Sequence, residues 1–204
     1  AGVPELVYIP VRQHIGAPAV LQKTKGDKVK IGTLLAAADG VVSADVHSSV
    51  AGEIVKIEEM PGSSGYQELT VVIKTAPDEF ETGIDTGSDI VKEITASREE
   101  IISAIRKAGI VGMGGAGYPT PIKTELPENK KADCLIVNAI ECEPYLTADG
   151  ALMLEKAEQI IIGAKIINKA LGIQNAVIAI DENKPQAIEK LTKISKSYIG
   201  VNVR

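Results

Sequence analysis

The hydrophobic period changes once along this chain of 204 residues, and that change limits the folds open to it. Up to about residue 75 the apolar side chains come in short alternating runs, "LVYIPVRQHIG" and "QELTVVIK" among them, parted by Gly, Asp and Ser turns. A period of two predicts half-buried strands. From residue 98 onward the sequence alternates between helical periodicity and short runs of branched apolar residues, which predicts strand, helix, strand, helix. The fold class expected is therefore a multi-domain α+β chain: a small all-β domain over 1–75, a linker over 76–97, and an α/β domain over 98–204.

Within the β part, "GDKVKIGTLL" (26–35) and "SSVAGEIVKI" (48–57) read as two corners of a flattened barrel, each a glycine turn leading into a strand. The pattern resembles biotinyl and lipoyl carrier domains, which display a lysine at a hairpin tip between these elements. No lysine occurs between Ile31 and Val55. The reading is a barrel-sandwich scaffold without a carried cofactor.

The segment 76–97 is polar, acidic and rich in turn residues. Ser97 and Glu100 form a capping-box signature ahead of "REEIISAIRKAG", with apolar positions 101, 102, 105 and 108 on one helical face and Gly109 closing the helix. "ADCLIVNA" (132–139) reads as a buried parallel strand. "LTADGALMLEKAEQIIIGAKIINKALG" reads as one long helix ended by Gly172, "NAVIAID" as a second strand, and the segment after Pro185 as a second helix. Such an alternation implies a parallel sheet with right-handed crossovers and a ligand crevice at the carboxyl ends of its strands.

Composition removes several functions. Aromatic residues make up 3% of the chain, so its cores are built from Val, Ile, Leu and Ala, and 27 acidic against 22 basic residues leave no basic stripe for nucleic acid. The apolar run "IIIGAKII" (160–167) is broken by Gly163 and Lys165, far short of the ~20 residues that span a bilayer. Two cysteines, Cys134 and Cys142, point to a reducing, cytosolic setting and fit no zinc or iron–sulfur pattern. His14 and His47 are assigned to packing or the surface, and Cys142 to packing, so no metal site is expected. The ending "YIGVNVR", where a strand begins, suggests a piece of something longer.

The densest feature is "GIVGMGGAGYPTPIKTELP" (109–127), with five glycines in its first nine residues. Gly112, Gly114 and Gly117 satisfy G-x-G-x-x-G, yet the loop follows a helix rather than a strand, so it is no ordinary dinucleotide turn. Gly112, Gly114, Gly115 and Gly117 let backbone N–H groups approach a flat ring or a phosphate, and Lys123 supplies a cation. Pro119 and Pro121 stiffen the exit against a merely flexible loop. "NAIECEPYLTADG" begins where the 132–139 strand ends, which puts Asn138, Glu141 and Glu143 at the carboxyl edge of the sheet. There they could accept hydrogen bonds from hydroxyls and ring N–H groups, or stand as solvated loop charges.

"GIVGMGGAGYPTPIK" together with "NAIECEPYLTADGALM" resembles the RnfC subunits of Rnf-type electron-transport complexes and, more distantly, the flavin-bearing, NADH-oxidising subunit of respiratory complex I. "VRQHIGAPA" and "GDKVKIGTLLA…VSADVHSSVAGEI" resemble the N-terminal domain of the former, so the resemblance runs over nearly the whole chain. It implies an FMN held by Gly112, Gly114, Gly115 and Gly117, with Lys123 on phosphate and Asn138 and Glu141 hydrogen-bonded to the flavin. It also implies NADH as substrate, met by Tyr118 and Glu143. Hydride transfer of this kind needs no protein acid or base, so no catalytic side chain is expected. Ile140 departs from the complex I pattern, which has an acidic flavin contact at this position.

The resemblance further implies a peripheral subunit on the cytoplasmic face of the membrane, partnered by other Rnf subunits. Its complex exchanges electrons between NADH and ferredoxin and couples this to Na⁺ or H⁺ transport. Two [4Fe–4S] clusters and the last part of the flavin domain would lie outside this sequence. The alternative is a non-catalytic docking scaffold that has lost its flavin, which Ile140 favours.

Overall fold

The computed structural model describes residues 2–62, 65–143 and 145–204. They divide into two compact units, one of residues 1–87 with 103–123 and one of 88–102 with 124–204.

Seven strands form the first unit: β1 (Leu6–Pro10), β2 (Val20–Leu21), β3 (Lys28–Val29), β4 (Leu34–Ala37), β5 (Val46–His47), β6 (Gly52–Pro61) and β7 (Gln67–Thr75). They make a four-stranded sheet in the order β1-β7-β6-β3 and a three-stranded sheet β2-β4-β5, both antiparallel. β7 lies between β1 and β6, and its run Thr70–Val71–Val72–Ile73 is buried throughout, so both faces of the strand are covered there. Leu35, Ile54, Val71 and Ile73 are wholly buried and form the centre of the barrel core. Gly26 and Gly32, at φ +94 and +92, turn the chain in the first expected corner, whereas Gly52 of the second is the first residue of β6.

The second unit is a parallel sheet in the order β10-β9-β8, built from β8 (Cys134–Ala139), β9 (Asn175–Ile180) and β10 (Val201–Val203). Its helices are α3 (Ala148–Glu155), α4 (Ala157–Leu171) and α5 (Pro185–Ser195). Buried Ile161, Ala164, Ile178 and Leu191 pack the helices on the sheet. The helix expected over the "LTADG…KALG" stretch is two helices, broken at Lys156, which leaves helical geometry at φ −123. No proline or glycine stands at the break. Gly172 ends α4 in the left-handed region at φ 70, and Pro185 opens α5, as the sequence indicates. β8 is parallel but not buried: it is one of the two edge strands of this sheet, and Ile136 on it is 69% exposed.

Helix α1 (Arg98–Lys107) carries the boundary between the units. Its capping box is formed in both directions, the Ser97 N–H donating to Glu100 Oε2 at 2.7 Å and the Glu100 N–H to Ser97 Oγ at 3.2 Å. The segment expected as a linker is tied at both ends. Ile31 and Glu79 share a backbone hydrogen bond, Thr33 Oγ1 donates to Glu81, and further on Lys92 pairs with Glu158 at 2.8 Å while Lys169 Nζ donates to the Ile94 carbonyl.

By contacts, residues 103–123, which hold the glycine segment, group with the barrel strands. Close backbone approach accounts for this. A β-carbon at Gly109 would stand 2.2 Å from the Asp45 carbonyl oxygen, and one at Gly117 2.9 Å from that of Gln13. α2 (Thr120–Thr124) follows the segment.

Candidate functional site

The glycine segment is a closed loop. The Gly112 N–H donates to the Tyr118 carbonyl at 2.8 Å, the Thr120 N–H to the Ile110 carbonyl at 3.0 Å, and Val111 bridges to Pro119, which is buried. Between these fastenings, the N–H groups of Met113, Gly114, Gly115 and Ala116 have no partner among the described residues. β-carbons built at Gly114 and Gly115 would meet nothing within 4 Å, so the loop presents bare backbone to open space. Gly115 at φ +98 and Gly117 at φ +58 take conformations that side chains disfavour. Successive free N–H groups in such a turn attract an anion or an electron-rich ring edge.

Lys123 belongs to the same loop. Its Nζ lies 5.9 Å from the centre of the Tyr118 ring, and no carboxylate among the described residues pairs with it. A β-carbon at Gly112 would stand 2.7 Å from this Nζ, so the ammonium occupies space that only glycine leaves. Tyr118 is 36% exposed, and its ring lies within cation–π range of the ammonium. The loop thus combines an open glycine face, an exposed aromatic ring, and N–H donors and a cation with no hydrogen-bond or carboxylate partner among the described residues. That set fits a phosphorylated ring system such as FMN.

Asn138, Glu141 and Glu143 lie in the other compact unit, at the carboxyl end of β8. Asn138 is exposed, its Oδ1 accepts the Ile140 N–H at 3.1 Å, and its amide N–H groups have no acceptor among the described residues. Glu143 is exposed, and so is Ile140, at 39%. Pro144 of this motif lies outside the described residues.

Glu141 is held differently. Its side chain is 5% exposed, with Oε2 taking Lys184 Nζ at 2.5 Å and Oε1 taking the Asp149 N–H at 2.7 Å, at the start of α3. The Lys184 hydrogen bond holds the carboxyl below its ordinary pKa. Desolvation opposes this, and the N–H groups of Asp149 and Gly150 reinforce it. Both oxygens are therefore committed within the chain. Gly150 makes room for the pair, since a β-carbon there would stand 3.3 Å from Oε2. Lys184 and Gly150 escaped the sequence reading. The signal available was Lys184 before Pro185 at the carboxyl end of β9, facing the same edge as β8.

Among the described residues no group of His, Cys, Asp or Glu could hold a metal ion, and both cysteines are free and exposed. Among the described residues no helix is long and apolar enough to cross a membrane.

Residues 1–78 match the family model described as the RnfC barrel sandwich hybrid domain, and residues 105–203 that of the Nuo51 FMN-binding domain. The chain is 44% identical over its full length to the C subunit of the proton-translocating ferredoxin:NAD(+) oxidoreductase complex of Clostridium ljungdahlii, covering 44% of that protein. It is 41% identical over 93% of its length to the Na(+)-translocating counterpart of Acetobacterium woodii, covering 42% of it. The chain thus spans less than half the length of these curated relatives. Among solved structures, an air-oxidised NAD+-reducing [NiFe]-hydrogenase matches 53% of the chain and 20% of its own, at 23% identity and a TM-score of 0.45.

Proposed function

The chain belongs to the family of RnfC subunits, and from that premise we propose that it binds FMN in the glycine loop and serves NADH oxidation. The observation that carries the reading is the closed loop 112–118, whose open glycine face and N–H groups without a partner among the described residues lie beside Lys123, which pairs with no carboxylate among them. Gly112, Gly114, Gly115 and Gly117 would lie against the flavin, Lys123 would neutralise phosphate, and Tyr118 would give the nicotinamide nucleotide an aromatic surface. Asn138 would donate from its free amide, and the exposed Glu143 would accept from the nucleotide's hydroxyls. FMN, when bound, supplies hydride acceptance from NADH, and the chain supplies orientation and electrostatics.

In the whole subunit, electrons would pass on through iron–sulfur clusters beyond these residues and be exchanged with ferredoxin. Its place would be peripheral, on the cytoplasmic face of an ion-translocating membrane complex, among the other Rnf subunits. A docking scaffold without flavin is the second reading, favoured by Ile140 at a position acidic in complex I relatives.

Flavin-fluorescence titration of the full-length subunit, with Lys123→Ala and Gly115→Val, tests the proposal. Saturable FMN binding, weakened about tenfold or more by each change, is the expected result. Absence of FMN binding by the wild-type subunit would leave the scaffold.

A further inference from the structure

We propose that Arg12 is a second phosphate-binding residue of the nucleotide site, supplied by the barrel strands; this rests on the nucleotide reading above. A cleft of about 450 Å³ lies beside the glycine loop, with Arg12, Gln13 and Ile15 on its lining together with Gly115, Ala116 and Gly117. Chain segments far apart in sequence meet here because Gly117 has no side chain: a β-carbon would stand 2.9 Å from the Gln13 carbonyl oxygen and 3.0 Å from His14 Cα. The Ile15 N–H donates to the Gly117 carbonyl at 3.4 Å.

The segment bearing Arg12 is held on both sides. Val11 is 4% exposed and its N–H donates to the Leu69 carbonyl at 2.8 Å. His14 is 6% exposed, its Nε2 accepting the Ala44 N–H at 3.2 Å and its Nδ1 facing the Ile15 carbonyl at 3.1 Å. An accepting Nε2 leaves Nδ1 to donate to the Ile15 carbonyl, so both ring nitrogens are spent on structure. Arg12 itself is exposed and has no ion pair or hydrogen bond among the described residues. Glu68, the carboxylate on the cleft lining, is turned against Gly62, where a β-carbon would stand 2.3 Å from Oε2.

An unpaired guanidinium fork beside free backbone N–H groups suits a phosphate ester. Lys123 stands by Gly112, whereas Arg12 shares the cleft with Gly115–Gly117, so the two cations serve different parts of the loop. FMN and NADH together carry more phosphate than one lysine neutralises. The phosphate of the flavin and the pyrophosphate of the dinucleotide share this chemistry.

The experiment uses the full-length subunit and its Arg12→Gln and Arg12→Lys variants. FMN and riboflavin are titrated by fluorescence, NADH by flavin bleaching, and inorganic pyrophosphate by calorimetry on flavin-free protein. Arg12→Gln is expected to weaken a phosphate-bearing ligand about tenfold, with riboflavin affinity and Tm unchanged and partial recovery in Arg12→Lys. A loss confined to FMN assigns the flavin phosphate, and one confined to NADH the dinucleotide; either supports the proposal. Undiminished affinity of Arg12→Gln for FMN, NADH and pyrophosphate overturns it. A wild-type subunit that takes no flavin sinks the flavin reading by itself. Pyrophosphate then decides on Arg12: binding lost in Arg12→Gln supports its role, while binding retained, or absent from wild type, overturns it.

Discussion

Lys184 Nζ lies 2.5 Å from Glu141 Oε2 across 43 residues of chain, with the two side chains 19% and 5% exposed. The pair joins the carboxyl end of β8 to the start of α5, and the Asp149 N–H on Oε1 adds α3. A carboxylate so occupied fixes the edge of the sheet from within. Removing Lys184 leaves a charge in that pocket without its partner, which is more damaging than removing the charge as well.

The first expected outcome follows from acid titration of that pair. The folded-state pKa of Glu141 is lowered from 4.5, so its contribution to stability is complete above that value and is lost as pH falls through the lower folded-state value. Urea midpoints of wild type and Glu141→Gln are expected to differ at neutral pH and to converge in the acid range below 4.5. Midpoints that stay equally far apart at every pH would show that Lys184 does not stabilise the charged form.

Gly112 and Gly117 are expected to fail differently. Alanine at Gly112 meets the mobile end of Lys123, 2.7 Å away, so the protein keeps its Tm while FMN affinity falls about tenfold as the ammonium moves. Alanine at Gly117 meets the backbone of Gln13 and His14 at φ +58 and costs about 1–2 kcal/mol of stability from backbone strain alone. Thermal melts alongside FMN titration separate the two, and a reversed pattern would mean that the loop is held elsewhere.

Asn168 is 5% exposed on α4, and its Oδ1 has no partner among the described residues. Asn168→Leu keeps the branched shape and removes the stranded oxygen. It is expected to stabilise the protein by about 1 kcal/mol in chemical denaturation. Destabilisation of that size would show that a bound water or another group satisfies the amide.

The turn between β4 and β5 holds Asp39, Gly40 and an exposed Val41, with no lysine on either strand. Intact-mass measurement of the protein from its native host is expected to show no biotinyl or lipoyl addition on residues 31–55. A mass increment there would reopen the carrier reading.

What was legible in the sequence was local. Ser97 and Glu100, Gly172, and Pro185 each act within one helical turn, and each did what its chemistry requires. The alternating runs of the first 75 residues, "QELTVVIK" among them, marked the barrel strands. Ile136 misled, because an apolar run does not say which strand will be the edge of a sheet. The break at Lys156 carries no local mark. Glu141 could be placed at the sheet edge, but its partner 43 residues away could not be found by spacing, because only the tertiary fold brings β8 and the start of α5 together.

The barrel unit takes its residues from two stretches, 1–87 and 103–123, with 88–102 given to the other unit between them. On the ribosome the seven strands therefore emerge well before the glycine loop that completes them. Until residue 123 has left the exit tunnel, the surface formed by Gln13, His14 and Asp45 waits without the backbone that covers it in the finished chain. The order of synthesis makes the glycine loop the last piece added to the first unit.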